Sequence, residues 1–144
     1  MPPRTDEFNL NRFVAAQDAV YETVLNELRQ GRKVSHWMWF IFPQMAGLGQ
    51  SEMAQRYAIH SADEARAYLA NPVLSARLKE CTEILNGLHG LTAEDIFGPV
   101  DAMKLKSSMT LFAVVSKDAE PFVSCLARYY GGAYDADTVR LLAL

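Results

Sequence analysis

The sequence is poor in the residues that staple or metallate small proteins. Only two cysteines, Cys81 and Cys125, occur in 144 residues. Each lies inside a helical pattern, and no CxxC, HExxH or paired Cys/His spacing is present. The pattern therefore predicts no disulfide framework, no metal site and no cofactor. Two buried free thiols are the expectation, because cysteine is a frequent core residue. Long apolar runs are missing as well: none approaches the roughly 20 residues that span a bilayer. The opening residues, MPPRTDEFNLNRF, lack the apolar stretch of a secretion signal. The expectation is a cytoplasmic protein with no membrane partner. Excess positive charge is also lacking. The formal net charge is −3, whereas general nucleic-acid binding needs a basic surface to displace counterions. Nucleic acid is not an expected partner.

What is present is apolar residue at helical spacing. Half of the chain is hydrophobic and 22% is charged, enough at this length for one core without staples. Residues 1–11 are polar and contain proline, and read as a flexible lead-in. Residues 12–144 read as a single all-α domain, a bundle of about seven short helices with no substantial sheet. Phe13, Val20, Val24 and Leu28 recur near helical spacing, and Gly31 follows as a stop, which predicts one long first helix. Ser51 is placed to cap SEMAQRYA. Ser61 and Glu64 have the spacing of a capping box, and Asn71-Pro72 puts a cap before a proline at the first helical position. Leu74, Leu78, Cys81 and Leu85 then share one face of a helix stopped at Gly87. Thr92 with Asp95 predicts a short turn cut at Gly98-Pro99, and Asp101 the cap of a helix through Val115. A further helix covers 119–130, and Asp135 or Asp137 opens the last.

The most distinctive stretch is HWMWFIFPQ, residues 36–44. Six large apolar side chains stand in a row and follow neither a period of two nor one of 3.6. Pro43 ends the run, because it lacks an amide proton and restricts Phe42. With no later strand to pair with it, the run reads as a buried helix, with most rings in the core and one or two at a pocket rim. Trp37 and Trp39 offer flat surface for a base, sugar or acyl group, and Gln44 offers directional hydrogen bonds.

A second chemistry-bearing segment is KLKSSMTLF, residues 104–112. Asp101, Lys104 and Ser108 fall at i, i+3 and i+7, with Ser107 beside them. A point cation with rotatable hydroxyl donors suits a phosphate or carboxylate; an exposed face with an Asp–Lys pair is the plainer alternative. The glycines Gly47 and Gly49 run into a predicted helix start whose free amides favour an anion, with Arg56 a turn further on and Lys33 upstream. His36 is a candidate acid or base because imidazole titrates near neutrality, and Asp101 is a candidate proton handler beside Lys104.

The segments FVAAQDAVYETVLNELRQGRKVSHWMWFIFPQMAGLGQSEMAQRYAI, EARAYLANPVLSARL and IFGPVDAMKLKSSMTLFA together resemble a bacterial domain-of-unknown-function family, some members of which carry the label "calpastatin". The resemblance covers nearly the whole chain from about Phe8 and implies a helical fold of its own type. A calpain inhibitor of that kind is a disordered chain that folds on its target, which an apolar, helix-patterned sequence is not. In length, and in the FVAAQ and KLKSSMTLF helices, the chain is loosely similar to the NADAR group. That likeness implies N-glycosidic chemistry on ADP-ribose-like or related compounds, although the group's Glu-His pair is absent here.

The expectation is thus a small anionic ligand, nucleotide-like or phosphorylated, held by Trp37, Trp39, Gln44, Arg56, Lys104, Ser107 and Ser108. The alternatives are an N-glycosidic hydrolase using His36 or Asp101, and a protein-interaction module built on the aromatic run.

Overall fold

Every regular element of the computed structural model, which describes residues 6–142, is helical: α1 (Asn11–Asp18), α2 (Tyr21–Arg29), α3 (Met38–Ile41), α4 (Glu52–Arg56), α5 (Ala62–Ala70), α6 (Pro72–Asn86), α7 (Ala93–Val115), α8 (Phe122–Tyr130) and α9 (Ala136–Leu142). The sole β-type contact among the described residues is a parallel bridge between Met45 and Ile59. None of the described helices is long and apolar enough to cross a membrane.

Helix α7 is the spine. It packs against α5, α8 and α9, while α6 packs against α1, α2, α5 and α8. Leu105, Met109, Leu111 and Phe112 of α7 are fully buried. Their neighbours are aromatic: the Phe112 ring lies 5.1 Å from Tyr68 and 5.8 Å from Phe122. Phe13 of α1 meets Tyr68 edge-on at 5.1 Å. The predicted face of α6 is the buried one, with Leu74, Leu78, Cys81 and Leu85 all inside.

Local chemistry sets most of the boundaries. Ser51 Oγ accepts from the Ala54 amide and Asn71 Oδ1 from the Val73 and Leu74 amides, satisfying donors that a helix start leaves free. Thr92 and Asp95 form a complete capping box. Asp135 Oδ2 accepts from the amide and hydroxyl of Thr138, so Asp135 rather than Asp137 opens α9. Gly131 ends α8 at φ 62°, a left-handed conformation that glycine takes at no steric cost.

Three expectations are corrected. The long first helix is two, because Val20 at φ −131° breaks it between α1 and α2. The break lets α1 turn Phe13 and Gln17 inward, while α2 buries Val24, Leu25 and Leu28 independently. Asp101 caps nothing: the Thr92 turn and the Lys104 helix form one element, kinked at Gly98 (φ 79°), and Asp101 lies inside it. The Ser61–Glu64 box is half made. Ser61 Oγ accepts from the Glu64 amide, but the Glu64 carboxylate accepts instead from the His60 amide and from Arg12. Of the expected lead-in, residues 1–5 lie outside the described residues. Within residues 6–11, Asp6 accepts from the Leu10 and Asn11 amides and Leu10 is buried, while Glu7 and Asn9 are exposed.

Candidate functional site

The aromatic run makes a single helical turn, α3. Trp37, Met38, Phe40, Ile41 and Phe42 are all buried; Trp39 alone is half-buried. Trp37 is fixed by Glu27. That carboxylate accepts from the Trp37 indole N–H at 3.0 Å, from the Val34 and Ser35 amides at 2.7 and 2.9 Å, and from the Ser35 hydroxyl at 2.6 Å. Burial alone would raise the Glu27 pKa, but these bonds stabilise the anion and outweigh it, drawing the value down to about 2. Glu27 therefore clamps the 31–37 loop onto α2. The loop is pinned to α7 as well, by the Lys33 amide donating to the Ile96 carbonyl at 2.8 Å.

These clamps line up an alternation of rings and charges. Lys33 Nζ lies 5.1 Å from the centroid of the Trp37 ring and 2.9 Å from Asp101 Oδ2. Asp101 Oδ1 in turn lies 3.6 Å from Lys104 Nζ, which stands 5.5 Å from the centroid of the Trp39 ring. The order is Trp37, Lys33, Asp101, Lys104, Trp39. The tryptophan segment and the lysine–serine helix do meet. Asp101 favours Lys33, whose side chain is 8% exposed. Lys104 keeps the longer contact, and its remaining N–H donors are uncommitted among the described residues.

Two neighbouring hollows share Gln44. The first, about 260 Å³, lies between the 44–49 loop and the 54–60 segment, with Trp39, Tyr57, Gln55 and His60 in its wall. Its backbone edge includes Gly47, at φ 99°, and Gly49, where an added Cβ would fall 2.6 Å from the Ala54 methyl. The second, about 250 Å³, is lined by Lys104 and Ser107 together with Leu48, Val100, Met103, Asp135 and Asp137.

Of the candidate residues, Trp39, Gln44, Lys104 and Ser107 line these hollows. The others do not. Trp37 is in the core with its N–H spent on Glu27. Ser108 is fully buried, with no partner for its Oγ among the described residues, because the face turned to the hollow is Val100, Met103, Lys104 and Ser107 rather than Asp101, Lys104 and Ser108. His36 is exposed and lines neither hollow, and Asp101 is held between the two lysines. Arg56 sits at the far end of α4 with its guanidinium 5.6 Å from the Tyr57 centroid. The start of α4 is a five-residue helix already capped by Ser51.

Sequence reasoning did not single out Tyr57, Gln55, His60, Val100 or Met103. They reach the site through the fold-back of residues 54–60 and the rotation of α7, which leave no local signature. The Trp39 indole N–H is buried without an acceptor among the described residues, a state that typically costs about 1–3 kcal/mol.

The family model for a protein of unknown function (DUF1810) matches residues 7–142. No curated protein matches the chain. Among solved structures, the chain is similar to the conserved hypothetical protein Rv1873 from Mycobacterium tuberculosis. The identity is 55% and the TM-score 0.95, over 96% of this chain and 99% of that one. With the family model spanning nearly its whole length, the chain belongs to the DUF1810 family of proteins of unknown function.

Proposed function

We propose that the chain binds a small anionic ligand, nucleotide-like or phosphorylated, across the two hollows that meet at Gln44. The anionic group sits on Lys104 and Ser107; a planar or ring-shaped body lies toward Trp39 and Tyr57. The observation that carries this reading is Lys104. It is half-buried, stands over an indole face, is only loosely engaged by Asp101 and opens on a hollow. A partly desolvated ammonium with free donors attracts an anion more strongly than one in bulk water.

His36 and Asp101, the proton handlers expected from the sequence, line neither hollow, so the hydrolase reading loses those two residues while the binding reading keeps Lys104. An interaction surface built on the aromatic run is disfavoured because five of its six side chains are buried. The test is calorimetric titration with adenosine monophosphate, used as a probe with one phosphate and one planar ring. Saturable binding by the native chain and its loss in Lys104→Ala are expected. Equal binding by the variant overturns the assignment.

A further inference from the structure

The hollow beside Lys104 is electrostatically unequal. Among the described residues Lys104 is the one cation in its wall, whereas Asp135 and Asp137 supply two carboxylates. Asp135 is held in place by capping: its Oδ2 accepts from the Thr138 amide and hydroxyl at 3.0 and 2.6 Å. Asp137 meets Arg140 at 2.9 Å, but those side chains are 57% and 73% exposed, so solvent screens the pair and little of the carboxylate's charge is cancelled. The nearest additional cation along the ring-and-charge alternation, Lys33, is committed to Asp101. A ligand anion seated on Lys104 therefore finds one counter-charge. A second anionic group on the same ligand meets no second cation among the described residues of that wall, only the neutral Gln44 and Ser107 and the carboxylates of Asp135 and Asp137.

From this charge pattern we infer that the site selects ligands with a single phosphoryl group on an uncharged body and rejects polyphosphates, with Asp137 a specificity-determining residue. The inference rests on the ligand-binding reading above and adds the ligand class. The rest of the wall suits an uncharged body: Leu48, Val100 and Met103 are apolar, and the last two are 66% and 73% exposed beside Lys104. Covering them removes apolar surface from water. Rejection by placed like charges is how a site discriminates among ligands that share one anchoring group.

The experiment compares adenosine mono-, di- and triphosphate, without divalent cations and at fixed salt, in the native chain and in two surface variants. The native chain is expected to bind the monophosphate about tenfold or more tightly than the other two. Asp137→Asn shrinks that ratio to within about threefold, whereas Arg140→Gln, which removes only a screened counter-charge, leaves it within about twofold of the native value. Both positions are exposed, so both variants fold. Equal or tighter binding of the di- or triphosphate by the native chain overturns the inference, as does a ratio that Asp137→Asn does not move or that Arg140→Gln shrinks as far as Asp137→Asn does. If none of the three nucleotides binds, or if Lys104→Ala binds them as the native chain does, the ligand-binding reading itself falls and takes the inference with it. Binding without discrimination sinks only the selectivity.

Discussion

Lys104 Nζ stands 5.5 Å from the centroid of the Trp39 ring, and that contact joins the two most distinctive segments of the chain. Its energetic worth is modest, about 0.5–2 kcal/mol depending on how dry the pair is. Function and stability therefore separate at this position. Lys104→Met keeps the aliphatic stem over the ring and removes the charge. Its unfolding free energy is expected to fall by no more than about 2 kcal/mol, while binding of a phosphorylated probe is lost. Chemical denaturation and calorimetry on the same preparation check both halves.

The two tryptophans respond oppositely to the same substitution. Trp37→Phe removes a donor from the Glu27 network and costs about 1–3 kcal/mol. Trp39→Phe removes an indole N–H that has no acceptor among the described residues, so its stability is expected to equal or exceed that of the native chain. Urea midpoints of the two variants distinguish them directly.

Glu27 predicts a pH dependence. Its folded-state pKa is drawn down to about 2 from an ordinary value of 4.5. The unfolded chain thus binds more protons in between, and stability rises with pH across that interval. The contribution is fully present above about 4.5 and is lost as pH falls toward about 2. In Glu27→Gln the acid side of the stability profile is expected to flatten over that window, and the protein to be less stable at neutral pH. Melting temperatures from pH 2 to 7 read it out.

Gly49 is held by packing rather than by backbone conformation. A Cβ there would lie 2.6 Å from the Ala54 Cβ, both at the edge of the aromatic hollow. Gly49→Ala is expected to cost about 1–3 kcal/mol, as overpacking does, and to weaken ligand binding by shifting the 44–49 loop. A melting temperature equal to that of the native chain would show that the loop gives way freely.

Much of the fold was legible because its punctuation is local. Ser51, Asn71-Pro72 and Thr92 with Asp95 mark helix starts through hydrogen bonds made within three residues, and such contacts leave a signature in the sequence. The break at Val20 left none, since Ala19-Val20 contains no glycine or proline and the helical spacing runs through it. The fusion across Gly98-Pro99 was hidden for the opposite reason: two strong breakers stand there, yet the flanking segments stay together in one kinked element. For the candidate site, residue type pointed to Trp39, Gln44, Lys104 and Ser107, which line the two hollows. It did not say which face of α7 would turn outward, a choice set by packing against α5, α8 and α9. Ser108 consequently went to the core and Met103 to the surface.

The central claim is that Lys104 and Trp39 form the two poles of one binding site. A crystal of the native chain soaked with adenosine monophosphate tests it most directly. The phosphate is expected within hydrogen-bonding distance of Lys104 Nζ, about 3 Å, with the base lying toward Trp39 and Tyr57. Ordered nucleotide elsewhere on the molecule, with the hollows at Gln44 filled only by solvent, would contradict the account.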